Sequence, residues 1–266
     1  MILVIGHRGA PQIEPENTVA SFRAATDLGA DGVELDVRRT ADGRLAICHD
    51  AHLPDGRAIV GTPWSELPDQ VPDLAAALDA CRGLGLVNVE IKNWPDDVDF
   101  DASLALVDTV VSVLLARPAD ERARLLVSCF HLPSVDRVRD LAPDLATAWL
   151  VIGPAVAAGT PGVDGTTGSD TGVDPVAALV AETAEHGHRA LHPHHAFVTP
   201  DLVEQAHAAG VAVNTWTCDD PDRVRWLADV GVDGIVTNVP DVALSALGRG
   251  ASPSTPTSAK ANPPRQ

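Results

Sequence analysis

Tyrosine is absent from the 266 residues, aromatic side chains make up 3%, and lysine occurs twice, at Lys92 and Lys260. The shortage of aromatics leaves the core to aliphatic residues, and a hydrophobic content of 45% supplies them. Basic residues are outnumbered 37 to 19 by acidic ones, for a formal net charge of −18. Such a chain is not built for non-specific binding to nucleic acid or anionic membrane. A phosphate site would have to be a local positive patch set into an acidic surface, which makes the place of Lys92 informative. No apolar run reaches membrane-spanning length, so no stable membrane association is expected. The four cysteines, Cys48, Cys81, Cys129 and Cys218, lack C-x-x-C spacing. With Cys48 and Cys129 in predicted strands, they read as reduced, buried small hydrophobic residues and not as a disulfide framework or zinc site. The first strand starts at once within residues 1–6, with no leader pattern, and a soluble cytoplasmic protein is the expectation.

What is present centres on Gly32-Val33-Glu34-Leu35-Asp36-Val37-Arg38, followed by Cys48-His49-Asp50. In a strand, alternation sends Glu34 and Asp36 to one side and Val33, Leu35 and Val37 to the other. Two carboxylates on one buried face need a cationic neutraliser, and carboxylate oxygens suit Mg²⁺ or Ca²⁺. A half-exposed strand showing both acids to water is the plainer reading of the pair taken alone.

Residues 2–5 have the continuous apolar pattern of a buried parallel strand, ending in the glycine-flanked Gly6-His7-Arg8-Gly9. A helix follows over 18–28 with Asn17 as its expected N-cap. Asp42-Gly43 marks a hairpin joining the Glu34 strand to residues 45–48. Residues 51–72 read as a compact insertion, and a helix runs from Asp73 to about Cys81. Strands are then expected over 86–91, 125–128, 146–152, 189–192, 211–215 and 234–237, separated by helices over 101–116, 133–141, 174–186, 200–209 and 220–229. Residues 153–172 are a connector rich in Gly, Thr, Asp and Pro. About eight strands alternating with helices imply a (β/α)8 TIM barrel, with a doubly wound open sheet as the alternative. The expected organisation is a barrel over 1–248 and a disordered Ser/Pro/Ala-rich tail over 249–266.

In a barrel the C-terminal strand ends carry the chemistry. His7, Arg8, Glu34, Asp36, His49, Glu90, Lys92 and Trp216 all fall at or near such ends. Glu34, Asp36 and Glu90 could hold one divalent cation, while His7 and His49 could serve as general base and general acid. Arg8 and Lys92 would add fixed positive charge, a set suited to a phosphodiester. Each also has a structural reading: Arg8 could pair with Glu14 or Glu16, and Lys92 could be a solvated charge. His192, His194 and His195 form a cluster without an assigned role.

The ordered motifs resemble the glycerophosphodiester phosphodiesterase family. They are His7-Arg8-Gly9, Pro15-Glu16-Asn17-Thr18, Glu34-Leu35-Asp36-Val37, His49-Asp50, Glu90-Ile91-Lys92, Ser128-Cys129-Phe130-His131, Val213-Asn214-Thr215-Trp216-Thr217 and Gly231-Val232-Asp233-Gly234-Ile235-Val236-Thr237-Asn238. The likeness spans roughly residues 3–242. It implies a (β/α)8 barrel with a small insertion after the second strand, and metal-dependent hydrolysis of a glycerophosphodiester to glycerol 3-phosphate and an alcohol. It also implies one Mg²⁺ or Ca²⁺ ion on Glu34, Asp36 and Glu90, acid/base work by His7 and His49, and phosphate contacts from Arg8 and Lys92. Glu16 would support the Arg8 loop, and Trp216 would wall the glycerol or leaving group. Attack by water and attack by the substrate's own glycerol hydroxyl, through a cyclic phosphate, both stay open. So do a lysophospholipase-D-like relative, a non-catalytic barrel binding a phosphometabolite, and assembly as a homo-oligomer.

Overall fold

A computed structural model describes residues 1–153 and 174–250. The expected connector, apart from Gly153, and the expected tail, apart from its first two residues, lie outside the described residues. Nine strands form one sheet: β1 (Leu3–Gly6), β2 (Gly32–Arg39), β3 (Leu45–Ile47), β4 (Leu86–Ile91), β5 (Leu125–Cys129), β6 (Ala146–Val151), β7 (Ala190–Pro193), β8 (Ala212–Thr215) and β9 (Gly234–Thr237). β1 pairs in parallel with both β2 and β9, so the sheet closes on itself and the open alternative is excluded. Eight strands make the parallel barrel, and β3 is an antiparallel hairpin partner of β2.

Helices alternate with the strands: α1 (Val19–Asp27), α2 (Leu74–Ala80), α3 (Ala105–Leu115), α4 (Ala119–Arg122), α5 (Leu132–Leu141), α6 (Pro175–Glu185), α7 (Pro200–Ala208), α8 (Pro221–Val230) and α9 (Pro240–Ala246). Two of them, α4 and α9, have no counterpart in the sequence reading. The expected start of α3 was four residues early, because Asp101 folds a turn first. Its carboxylate accepts from the backbone N–H of Ser103 and of Leu106. Asn17 is not the cap of α1. Thr18 is, its hydroxyl accepting from the Ser21 N–H at 3.1 Å, and Asn17 is turned inward to other work.

Strand alternation explains the layers. Along β4, Val87, Val89 and Ile91 face the helices and join the main core with Phe22, Leu35, Leu106, Leu179, Leu191 and Leu202. Leu86, Asn88 and Glu90 face the barrel axis by the same period of two. Inside the barrel, Leu126, Ala148 and Ala190 pack with Leu86, Ala146 and Ala212 near the strand starts. The lumen therefore changes along its length, from small aliphatic residues at the base to polar ones at the mouth.

The insertion over 51–72 has its own small core, in which Leu53 and Ile59 pack with Ala46 of β3 and with Trp64. At the base, Arg249 donates to the Ile2 carbonyl and to both Asp31 oxygens, while Asp31 accepts from the Val4 N–H. Among the described residues no helix is long and apolar enough to cross a membrane.

Gly32 begins β2 where the neighbouring strand passes closest: a Cβ there would lie 2.6 Å from the Leu86 carbonyl oxygen. Backbone on both sides cannot move without breaking the β2–β4 register. Gly32→Ala is expected to lower stability by about 1–3 kcal/mol, read as a lower urea midpoint with an unchanged slope.

Candidate active site

Register brings the acids together. Glu34 lies opposite Asn88, and Asp36 opposite Glu90, across the β2–β4 ladder. Residues so paired point the same way on strands about 4.8 Å apart, and one oxygen from each of Glu34, Asp36 and Glu90 lies within 4.8 Å of the others. All three are buried.

Their neutralisers come from the adjoining loops. Lys92, just past β4, donates to Glu90 Oε1 at 2.7 Å and lies 3.5 Å from Asp36 Oδ1. Arg8 Nε faces Asp36 Oδ2 at 3.3 Å, while its Nη1 donates to both Glu16 oxygens at 2.9 Å. The Arg8 backbone N–H donates to Glu34 Oε2 at 3.0 Å, and the Asn17 side chain donates to Asp36 Oδ2 at 2.8 Å. Burial alone would push Asp36 up, but Lys92, His49 and Arg8 outweigh it and hold the carboxyl below its usual range. Burial raises Glu34 well above the ordinary range, with Asp36 and Glu90 adding to the effect. Glu34 Oε1 is buried without a hydrogen-bond partner. Lys92 is disfavoured by burial, yet Glu90 and Asp36 more than compensate and keep it charged.

The loop that presents Arg8 is shaped for it. Arg8 and Gly9 have φ of +55° and +92°, and a Cβ on Gly9 would sit 2.4 Å from Ser21 Oγ. Ser21 donates to the Arg8 carbonyl and accepts from the Ala10 N–H, which clamps the turn onto α1.

The two histidines flank the acids. His7 Nδ1 lies 2.7 Å from Asn238 Oδ1, and its Nε2 is 4.0 Å from Glu34 Oε2. Asn238 donates through Nδ2 to Asp219, so its Oδ1 is the end turned to His7 and must accept the Nδ1 proton. The lone pair of His7 Nε2 thus faces the cavity. Burial, with Arg8 beside it, lowers the His7 imidazole below its ordinary value. His49 holds its Nδ1 2.8 Å from Asp50, and the His49 carbonyl accepts from Arg38 Nε. Arg38 is itself buried and clamped by Asp99 and Asp97.

His7, Arg8, Glu34, His49, Glu90, Lys92 and Trp216 border one cavity of about 110 Å³. A neighbouring space of about 240 Å³ shares His49, Glu90, Lys92 and Phe130, and adds Trp94. Phe130 stands edge-on between Trp94 and Trp216, at 5.4 Å from each. Glu16 sits at the rim, holding Arg8. Of the unassigned histidines, His192 lines the cavity and accepts from Asn214, whereas His194 packs edge-on against Trp216. Among the described residues these three do not converge on a common metal position. Asn17, Asn238, Asp219 and Arg38 carry geometry that sequence reasoning did not assign; the Asn17 and Asn238 motifs were visible, but their partners were not.

Fold and cavity together define a (β/α)8 barrel with an acidic, histidine-flanked mouth. The chain belongs to the glycerophosphoryl diester phosphodiesterase family, whose model matches residues 7–242. It is 28% identical to a glycerophosphodiester phosphodiesterase of Caldanaerobacter subterraneus subsp. tengcongensis, over 93% of this chain and 98% of that one. A Bacillus altitudinis protein of the same name is 27% identical, over 92% of this chain and 97% of its own length. A solved Oleispira antarctica phosphodiesterase, in complex with the product sn-glycerol-3-phosphate, superposes with a TM-score of 0.76 at 26% identity, covering 92% of this chain and 96% of that one.

Burial drives the His192 imidazole down to about 3. The unfolded chain therefore takes up a proton below about pH 6.5 that the folded chain refuses, and stability falls with falling pH across that window. His192→Gln is expected to remove up to about 1.4 kcal/mol per pH unit of this slope, measured by urea unfolding between about pH 6 and 4.

Proposed function

We propose that this chain hydrolyses glycerophosphodiesters to sn-glycerol 3-phosphate and an alcohol, assisted by one Mg²⁺ or Ca²⁺ ion held by Glu34, Asp36 and Glu90. The observation that carries the reading is the charge deficit at the mouth. Three buried acids face two cations, and Glu34 keeps an oxygen buried without a partner. An all-oxygen donor set of this kind fits a hard divalent ion. What such an ion supplies when bound is Lewis acidity toward a phosphoryl oxygen.

The chain's own groups account for the rest. Arg8 and Lys92 place fixed charge where the non-bridging oxygens gain negative charge. His7, neutral and with Nε2 free, accepts the proton of the nucleophile, either water or the substrate's glycerol hydroxyl. A new P–O bond forms as the bond to the alcohol breaks. His49, oriented by Asp50, donates its Nε2 proton to the departing alkoxide. Trp216, Phe130 and Trp94 wall the neighbouring space with apolar faces that suit the alcohol group. The ion-ready acids, together with an oriented acid and base, go beyond what binding alone requires, which weighs against a non-catalytic barrel. Four unpaired thiols suit a reducing compartment, in keeping with a cytoplasmic enzyme acting on a water-soluble substrate.

His7→Ala and His49→Ala are each expected to cut glycerol 3-phosphate release from glycerophosphocholine by about 10²–10⁴-fold, with circular dichroism unchanged. Chelation should abolish the activity, and Mg²⁺ or Ca²⁺ should restore it. Full activity in either variant would remove the acid/base assignment.

A further inference from the structure

The barrel base carries a second cluster that the proposed reaction does not use. His186 caps the C-terminus of α6, and Gly187, with φ +75°, turns the chain so that His188 follows on the same side. The two rings lie nearly parallel, 26° apart. Asp136 of α5 meets both: its carboxylate oxygens are each 2.9 Å from His186 Nδ1, and Oδ1 is 3.3 Å from His188 Nε2.

We propose that Asp136, His186 and His188 form a cation site for a borderline transition-metal ion of the Zn²⁺ class, pinning α5 to the turn between α6 and β7. The spacing fits. Ligands about 2.05 Å from a tetrahedral zinc are about 3.3 Å apart; Asp136 Oδ1 lies 2.9 Å from His186 Nδ1 and 3.3 Å from His188 Nε2, and all three donor atoms lie within 4.8 Å of one another. One nitrogen is left waiting: His188 has a fully buried side chain, and its Nε2 makes no hydrogen bond. Asp136 is near it but poorly aligned to accept.

The other His188 nitrogen, Nδ1, lies 3.0 Å from Thr147 Oγ1 on β6. When His188 donates its Nδ1–H to the Thr147 hydroxyl oxygen, Nε2 carries the lone pair that a metal needs, the way a ligating histidine donates its other ring N–H to a neighbouring acceptor. Two imidazoles in three ligands favour Zn²⁺ over Mg²⁺ or Ca²⁺, the reverse of the all-carboxylate mouth. His186 is partly exposed, which gives an ion a way in and leaves the fourth position to water. Glu182, one turn before His186, adds negative charge, and Arg139, tied to Asp140, adds positive charge.

The test uses the full chain, stripped by chelator and dialysed against Zn²⁺ in excess Mg²⁺, with zinc per chain measured by plasma mass spectrometry. The wild type is expected to hold one zinc equivalent that His186→Gln and Asp136→Asn lose, or bind at least about tenfold more weakly, since even outer partners of ligands are worth that much. Thr147→Val should weaken binding without removing a ligand. Zinc should also raise the melting temperature of the wild type and not that of His186→Gln. His186 is partly exposed, so its variant keeps the test valid if His188→Gln fails to fold. Equal zinc content and affinity in wild type and His186→Gln, or no zinc held by the wild type, overturns the proposal.

Discussion

Carboxylates buried side by side repel one another and lose their hydration, and the β2–β4 register leaves this chain no way to separate them. Asp36 and Glu90 are paired across the ladder, and Glu34 is two residues earlier on the same face. Every unusual feature of the mouth answers that constraint. Lys92 is buried against two of the acids. Arg8 reaches Asp36 from a loop bent into the left-handed region, Asn17 leaves the helix-capping position to hold Asp36, and a backbone N–H is spent on Glu34. Strain and polar burial of this kind persist only where the surroundings over-determine them. Here the surroundings include the Ser21 clamp and two close-packed glycines, Gly6 and Gly9.

Much of the fold was legible because its signal is periodic. Strand alternation in Val33 to Val37 and in Leu86 to Ile91, with a helix between most successive strands, gives the barrel's repeat directly. Closure was not legible, since it rests on β1 pairing with β9 across almost the whole chain, and no local period reports it. The same limit explains the site. Acids at alternate positions of one strand announce a polar face, but the side chains that orient the histidines do not. Asp219 meets Asn238 from another loop, and Asp97 and Asp99 meet Arg38 from a turn about sixty residues away. Asn17 misled for a related reason: Asn and Thr are both good N-caps, and only the tertiary demand of Asp36 decides between Asn17 and Thr18.

The two ends of the barrel solve different problems with the same side chains. At the mouth, histidine nitrogens are left free beside carboxylates that an oxygen-seeking ion would neutralise. Deeper in the same cavity lining, His192 is buried and neutral, bonded to Asn214. At the base, polar groups tie elements together, as Arg249, just after α9, binds Asp31. By that rule Asp136, His186 and His188 belong to stability, for they join α5 to the α6–β7 turn on the face away from the cavity. An ion there would add a crosslink between neighbouring βα units without entering the reaction. The imidazole-bearing base would favour an ion of the Zn²⁺ class over Mg²⁺ or Ca²⁺, while the all-oxygen mouth suits the harder ions.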